Sequence, residues 1–419
     1  MTLLLFGVFL ALLVLGVPVA IAIGASTTAA LWADGLSLMV LPQRLFAGID
    51  SFALIAVPLF ILAGDIMAGG RVSEKLVAFA DALLGFLKGG LSIVSVLAGM
   101  FFAAISGSGA ATTAAIGSAL VPELRRKGYE PASAASLIAA SGTIGVVIPP
   151  SVPLIIYAVI AQESVTALFV NGFLPGVVMG VGLMAIAITQ AYRRNYPRGS
   201  AFRAGNVLRT LRDAFWGLMT PVIILGGIFS GVFTPSEAAV VAVNYALLVS
   251  LFIERDLGLR DIYRIMLRSV ITTAVIMFVI ATSAVLSWTL ANWSIPGTLA
   301  EAALSLSTNP YVIMLLVVAV ILLTGVFIET ASALIILTPV LLPLVTQLGI
   351  DPIHFGVIIV VGLAIGMITP PVAINLYVAS SVTEQPLERI AHAVLPYLAC
   401  LIVVLLGVVY LPMLLGAGR

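Results

Sequence analysis

Two stretches decide the fold: Gly145-Val146-Val147-Ile148-Pro149-Pro150 and, far downstream, Gly366-Met367-Ile368-Thr369-Pro370-Pro371. They stand in one register, since 370 − 149 = 221. The same offset pairs Pro122 with Pro343, Pro131 with Pro352, Glu163 with Glu384, and Leu174-Pro175 with Leu395-Pro396. A proline pair removes two amide donors and sterically ends the helix before it. Apolar helices interrupted at matching places in two halves of a chain point to the binding centre of a secondary transporter.

The solvent around these breaks follows from composition. Hydrophobic residues fill 62% of 419 positions and charged residues only 9%, which excludes an ordinary soluble domain. Residues 91–122 and 132–162 carry no Asp, Glu, Lys or Arg. At roughly 20 apolar residues per crossing, this is an all-α integral membrane protein with about ten to twelve transmembrane helices. A net charge of +1 argues against nucleic acid as a partner. Two histidines and the single Cys400 cannot build a zinc or iron–sulfur site. The apolar stretch 2–32 lacks a basic leader region and reads as a retained membrane segment. It is either one long helix or two hinged at Gly16–Pro18. No catalytic set is visible: neither histidine falls at a predicted midplane, and there is no paired aspartate or His-Glu-x-x-His run. The chain does not read as an enzyme.

Charge placement gives the threading. Arg193, Arg194, Arg198, Arg203, Arg209 and Arg212 face one acid, Asp213, across residues 191–213, so this linker is expected in the cytoplasm. Arg125, Arg126 and Lys127, and then Arg255, Arg260, Arg264 and Arg268, belong to the same side. The turn at Asp351 and residues 300–310 hold acids and no bases, and belong outside. Arms 91–105 and 110–122 flank Ser106-Gly107-Ser108-Gly109 and form a re-entrant hairpin from the cytoplasm. Arms 311–324 and 330–346, with a tip at Gly325–Glu329, dip in from outside. The repeats are therefore inverted. The division is residues 1–50; a first repeat over 51–190, with hairpin 91–123 and broken helix 133–157; the linker 191–213; residues 214–268; and a second repeat over 269–419, with hairpin 311–346 and broken helix 355–379. Residues 72–88 and 292–306 precede the hairpins as arms, the first amphipathic enough to lie along the interface.

Irregular backbone at membrane depth is tolerated only where protein or a water-filled cavity surrounds it. The breaks release carbonyls of Gly142–Ile148 and Gly366–Thr369, and the tips add the hydroxyls of Ser106, Ser108, Thr324 and Thr330. Neutral oxygens of this kind suit sodium. The half-helix N-termini favour an anion. Two sodium sites beside one anion site is the expectation; the alternative is that the Ser/Gly patches only permit close helix packing. Glu329 is the sole ionisable Asp, Glu, Lys or Arg between 311 and 350 and is expected to be functional, or else a hydrogen-bonded acid within the bundle. Glu237 reads as the far end of a capping box from Thr234. Asp65 and Asp81 are expected to pair with Arg71 or Lys75 near the cytoplasmic edge. Asn375 either caps its half-helix or lines the cavity.

A set of runs then carries a family resemblance over nearly the whole chain: Val57-Pro58-Leu59-Phe60-Ile61-Leu62-Ala63-Gly64, Lys88-Gly89-Gly90-Leu91, the Ser106–Gly109 tip, Lys127-Gly128-Tyr129, Ile148-Pro149-Pro150-Ser151, Leu174-Pro175-Gly176 and Phe233-Thr234-Pro235-Ser236-Glu237-Ala238-Ala239. Together they resemble the large membrane subunit, DctM type, of tripartite ATP-independent periplasmic (TRAP) transporters. The resemblance implies an ion-transporter-like elevator fold in the bacterial inner membrane. Residues 1–50 and 214–268 would then be its scaffold. It also implies sodium-coupled import of an organic acid, such as a C4-dicarboxylate or sialic acid. The expected partners are a small four-helix (DctQ-type) subunit and a periplasmic (DctP-type) binding protein. By the family's pattern, sodium site 1 falls at Ser106, Gly109, Ser141, Gly142, Gly145, Ile148 and Pro149. Sodium site 2 falls at Thr324, Gly325, Gly366, Met367 and Thr369. Substrate contacts fall at Ser106, Ser108, Ser151 and Glu329. The alternative is a stand-alone divalent-anion/sodium symporter or sodium/proton exchanger with the same hairpins.

Overall fold

The computed structural model describes residues 1–199, 201–307 and 309–415, which form helices and turns with no strand among them. The N-terminus is two helices, α1 (Thr2–Val14) and α2 (Val19–Ala33), packed on each other across a turn at Gly16, whose φ of 78° is left-handed. Next come α3 (Val40–Ile49), α4 (Ala56–Gly69) and the arm α5 (Val72–Leu84). The first hairpin is α6 (Gly90–Ser106) and α7 (Gly109–Arg126). The first broken helix is α8 (Pro131–Thr143), one 3-10 turn over Ile144–Val146, an irregular segment, and α9 (Val152–Ala161). A long α10 (Val165–Arg193) closes this half.

α11 (Ala204–Phe229), α12 (Pro235–Leu248), whose end continues as a π turn over Val249–Ile253, and α13 (Leu259–Asn292) lead to a second arm, α14 (Ile295–Leu306). The second unit repeats the first: hairpin α15 (Pro310–Phe327) and α16 (Thr330–Gln347), halves α17 (Pro352–Gly366) and α18 (Ile374–Thr383), and the long α19 (Leu387–Leu415). The register holds in space. The inner arms begin at Gly109 and Thr330 (330 − 109 = 221), and the broken helices at Pro131 and Pro352 (352 − 131 = 221).

Local sequence explains these boundaries. Pro131 and Pro352 occupy first-turn positions, where the missing N–H costs nothing. Ser108 and Glu329 are the N-caps of α7 and α16, and Thr234 and Glu237 form the expected reciprocal capping box on α12. Helix occupies 204–213, so Arg209 and Arg212 are helical and only the earlier part of the arginine-rich linker is loop.

Among the described residues, eight helices are long and apolar enough to cross a membrane; α1, α2 and most broken-helix pieces are shorter apolar helices. Large apolar side chains face outward while several hydroxyls lie inside. Leu3, Val181 and Val403 are more than half exposed, while Thr112, Thr113, Ser136 and Ser141 are buried. Hydrocarbon solvent permits that inversion, since buried hydroxyls can return their protons to helical carbonyls. The two units interlock: α9 packs on α16, and α18 packs on α7 and α8. Around them, α13 packs on α2, α3 and α4, and α12 on α4. The arm α5 lies against α6, α7 and α11. There, burial, reinforced by Glu123 and opposed by Lys127, pushes the Asp81 carboxyl up.

Candidate substrate and cation site

The first tip folds directly onto the first break. α6 ends at Gly107, whose left-handed φ of 59° lets Ser108 turn into α7. A Cβ on Gly107 would lie 2.7 Å from the Pro150 carbonyl oxygen. One on Gly145 would lie 2.5 Å from Thr112 Oγ1 and 2.6 Å from the Ser108 carbonyl oxygen. One on Gly142 would overlap Thr113 Oγ1 and approach the Gly109 carbonyl oxygen to 2.9 Å. The absence of side chains is what lets oxygens of tip and break gather.

The hydroxyls here spend their protons locally. Thr112 Oγ1 donates to the Ser108 carbonyl (2.8 Å) and Thr113 Oγ1 to the Gly109 carbonyl (2.9 Å). Ser141 Oγ donates to the Leu137 carbonyl, and Ser106 Oγ lies 2.9 Å from Thr112 Oγ1. Oxygens whose protons are committed elsewhere offer lone pairs, which is what a hard cation requires. Asn375 joins from the second unit. It is fully buried, its Nδ2 donates to the Ala139 carbonyl (3.2 Å), and its Oδ1 has no hydrogen-bond partner. It does not cap α18 and is not part of the cavity wall. A buried amide oxygen left unpaired is a candidate cation ligand.

Not every expected residue converges there. The Ile148 side chain meets Gly176 on α10, so only its backbone carbonyl is available to the break. Ser151 is buried, with its hydroxyl donated to the Val146 carbonyl and its oxygen capping Leu154 N–H. Met367 sends its side chain to the first tip, where a Cβ on Gly109 would meet its Sδ at 3.0 Å, and its carbonyl accepts from Asn375 N–H (3.0 Å).

The second tip meets its break through bare backbone. A Cβ on Gly366 would overlap the Gly325 carbonyl, and one on Gly325 would lie 3.3 Å from Gly366 Cα. Thr369 Oγ1 donates to the Ile365 carbonyl (2.8 Å), and the buried Thr330 Oγ1 has no partner. A cavity of about 10 Å³ separates Gly325–Thr330 from Met367 and Val372–Ile374, roughly the room of one water. Glu329 Oε2 accepts from Ser332 N–H (3.1 Å), so the acid at this tip is a helix cap.

Between the tips lies a cavity of about 390 Å³, a size suited to a small organic ligand. Its wall takes Gly109–Ala111, Val152–Pro153, Thr330–Ala331 and Ile374, the first turns of α7, α9, α16 and α18. Four half-helix N-termini therefore converge on one space, each contributing about half a positive charge. Ser106, Ser108 and Glu329 line it. Two further ionisable groups come from the surrounding helices: Asp65 on α4 and Arg268 on α13. Asp65 accepts from Ser269 Oγ (2.6 Å), not from Arg71 or Lys75, and Lys75 pairs with Glu254 instead. Arg268 is the one cation in the described wall. By charge pattern it belongs with the other cytoplasmic arginines, and only the packing of α13 beside the tips gives it this place.

Residues 6–414 match the model of the family described as "Tripartite ATP-independent periplasmic transporter, DctM component". The chain is 41% identical over 412 residues to an isethionate TRAP transporter permease protein DctMQ from Oleidesulfovibrio alaskensis, covering 97% of this chain and 65% of that protein. It is 41% identical over 376 residues to a C4-dicarboxylate TRAP transporter large permease protein from Pseudomonas aeruginosa, covering 90% of this chain and 88% of that one. Against a crystal structure of the Alcanivorax borkumensis YdaH transporter, the TM-score is 0.66 at 15% identity, over 91% of this chain and 90% of that one. That last likeness concerns fold alone.

Proposed function

Because the chain belongs to the DctM family of TRAP transporters and is a multi-pass inner-membrane permease subunit, we propose that it imports a small organic acid coupled to sodium. The convergence of four helix N-termini on one cavity, flanked by nests of neutral oxygen, carries this reading. The wall holds one guanidinium, Arg268, and two carboxyl groups, Asp65 and Glu329, beside those N-termini. A carboxylate there meets the four N-termini and Arg268, and cations in the adjoining oxygen nests add positive charge beside it. Sodium and acid thus raise each other's affinity, which is coupling in the thermodynamic sense.

The ends of α4 and α13 that border this cavity belong to the cytoplasmic side by the charge pattern, so this arrangement is the inward-facing one. On the opposite side a cavity of about 690 Å³ is lined by Arg44, Asp50, Glu163 and Trp288, with none of the tip residues. It would receive acid from a periplasmic binding protein. Transport then moves the interlocked units against α2–α4 and α11–α13 in an elevator-like step. A relative named as a DctMQ protein, of which this chain spans 65%, supports a small membrane subunit as partner.

Reconstitution with a small subunit and a binding protein tests the reading. Uptake of an organic acid should require both a sodium gradient and the binding protein. Uptake without the binding protein would favour a self-sufficient exchanger. Arg268→Gln should raise the KM for the acid roughly tenfold or more, the loss of a charge-assisted contact; an unchanged KM would remove Arg268 from the site.

A further inference from the structure

A second charged cavity, about 970 Å³, opens where the arm α5 meets α11 and the end of α12, away from the transport site. Lys75, Arg209, Arg212, Asp213, Trp216 and Glu254 line it. Lys75 is taken by Glu254. Neither Arg209 nor Arg212 makes an ion pair among the described residues. One turn further along α11, Phe215 and Trp216 are each over a third exposed. Leu208 and Leu211 expose apolar surface in the same wall. The opposite wall includes Ile253, the last residue of the π turn, an irregularity often retained at functional sites.

We propose that this cavity binds the phosphodiester headgroup of an anionic phospholipid of the cytoplasmic leaflet. Arg209 and Arg212 hold the phosphate oxygens, and Trp216 and Phe215 lie at the level of the glycerol and upper acyl chains. Three observations favour lipid over a free phosphate ion. α11 is itself long and apolar enough to span the bilayer. The order of arginines followed by aromatics is the order of headgroup and interface. Exposed leucines beside the cations suit acyl chains and not a small hydrated anion. Arm and frame are tied at this cavity through Lys75–Glu254, and a few residues away through Arg71 N–H donated to Asp256 Oδ2 (2.6 Å). A bound headgroup therefore bridges the two.

Native mass spectrometry of the detergent-purified protein, titrated with phosphatidylglycerol, phosphatidylethanolamine or soluble glycerol phosphate, tests this. Phosphatidylglycerol should bind preferentially. The double variant Arg209→Gln/Arg212→Gln should weaken it roughly thirtyfold, the effect of two juxtamembrane cations. The Arg209→Lys/Arg212→Lys pair should keep binding within about threefold, and Arg203→Gln should leave it unchanged. Equal phosphatidylglycerol binding by parent and double variant would overturn the proposal, as would glycerol phosphate binding as tightly as the lipid. If the double variant instead loses only co-purification with the small membrane subunit, the cavity is a subunit seat and the lipid assignment falls.

Discussion

The two hairpin tips share one backbone plan and differ in chemistry. At matching positions the first has Ser106, Ser108, Thr112 and Thr113, while the second has Phe327, Glu329, Ala333 and Leu334. The cap of the inner arm is a neutral serine in one and a carboxylate in the other. The first tip also borrows from its opposite unit: Asn375, whose counterpart is the apolar Leu154, and the Met367 side chain. The second is closed by a glycine-on-glycine backbone contact. A duplicated scaffold thus keeps the break, because the break is topological. We expect the first nest to bind sodium the more tightly.

The largest expected effect comes from filling the glycine contacts. Gly366→Ala forces a methyl onto the Gly325 carbonyl, where no side chain can step aside. Sodium-dependent uptake should be abolished, with a stability loss of about 1–3 kcal/mol from overpacking. Gly145→Ala meets Thr112 Oγ1 and the Ser108 carbonyl and should lower uptake while leaving more residual activity. Equal losses in proteoliposome uptake would mean that the two tips are not different in kind. Next, Asn375→Leu gives the second unit the residue of the first. It should raise the sodium concentration for half-maximal uptake by roughly tenfold, the net worth of about one polar contact. A value matching the parent would show that the orphaned oxygen is not a ligand.

The smallest effect separates the two caps. Ser108→Ala removes the acceptor for Ala111 N–H and should cost about 1 kcal/mol of stability. Glu329→Gln retains an acceptor for Ser332 N–H, so thermal unfolding should stay near the parent's. It also removes one of the cavity's two carboxylates, and should therefore let the acid bind at several-fold lower sodium. A variant that needs more sodium would contradict this reading of Glu329.

Much of this was legible before the fold. Proline and glycine act locally, so the 221-residue register, both breaks and both tips could be read from spacing, and the Thr234–Glu237 cap likewise. What crosses between units could not. Asn375 was open between capping and lining the cavity; it does neither, because α18 packs into the groove of α7 and α8 and carries the amide to the first break. Met367 falls in the second break by sequence, yet its flexible side chain reaches the first tip. Ser151 was expected at the substrate; its hydroxyl is consumed in starting α9, the usual competition between a serine's capping and its other uses. Arg268 and Asp65 joined the site only through the packing of α13 and α4 beside the tips.

Oxygens freed at the helix breaks are proposed to hold sodium, and the bound sodium to favour an acid in the cavity between the tips. The direct measurement is organic-acid affinity at a series of sodium concentrations, in the parent and in Asn375→Leu, on the reconstituted transporter. Affinity should climb with sodium in the parent, and the Asn375→Leu curve should be displaced to higher sodium with the same plateau. An acid affinity in the parent that does not depend on sodium would contradict the account.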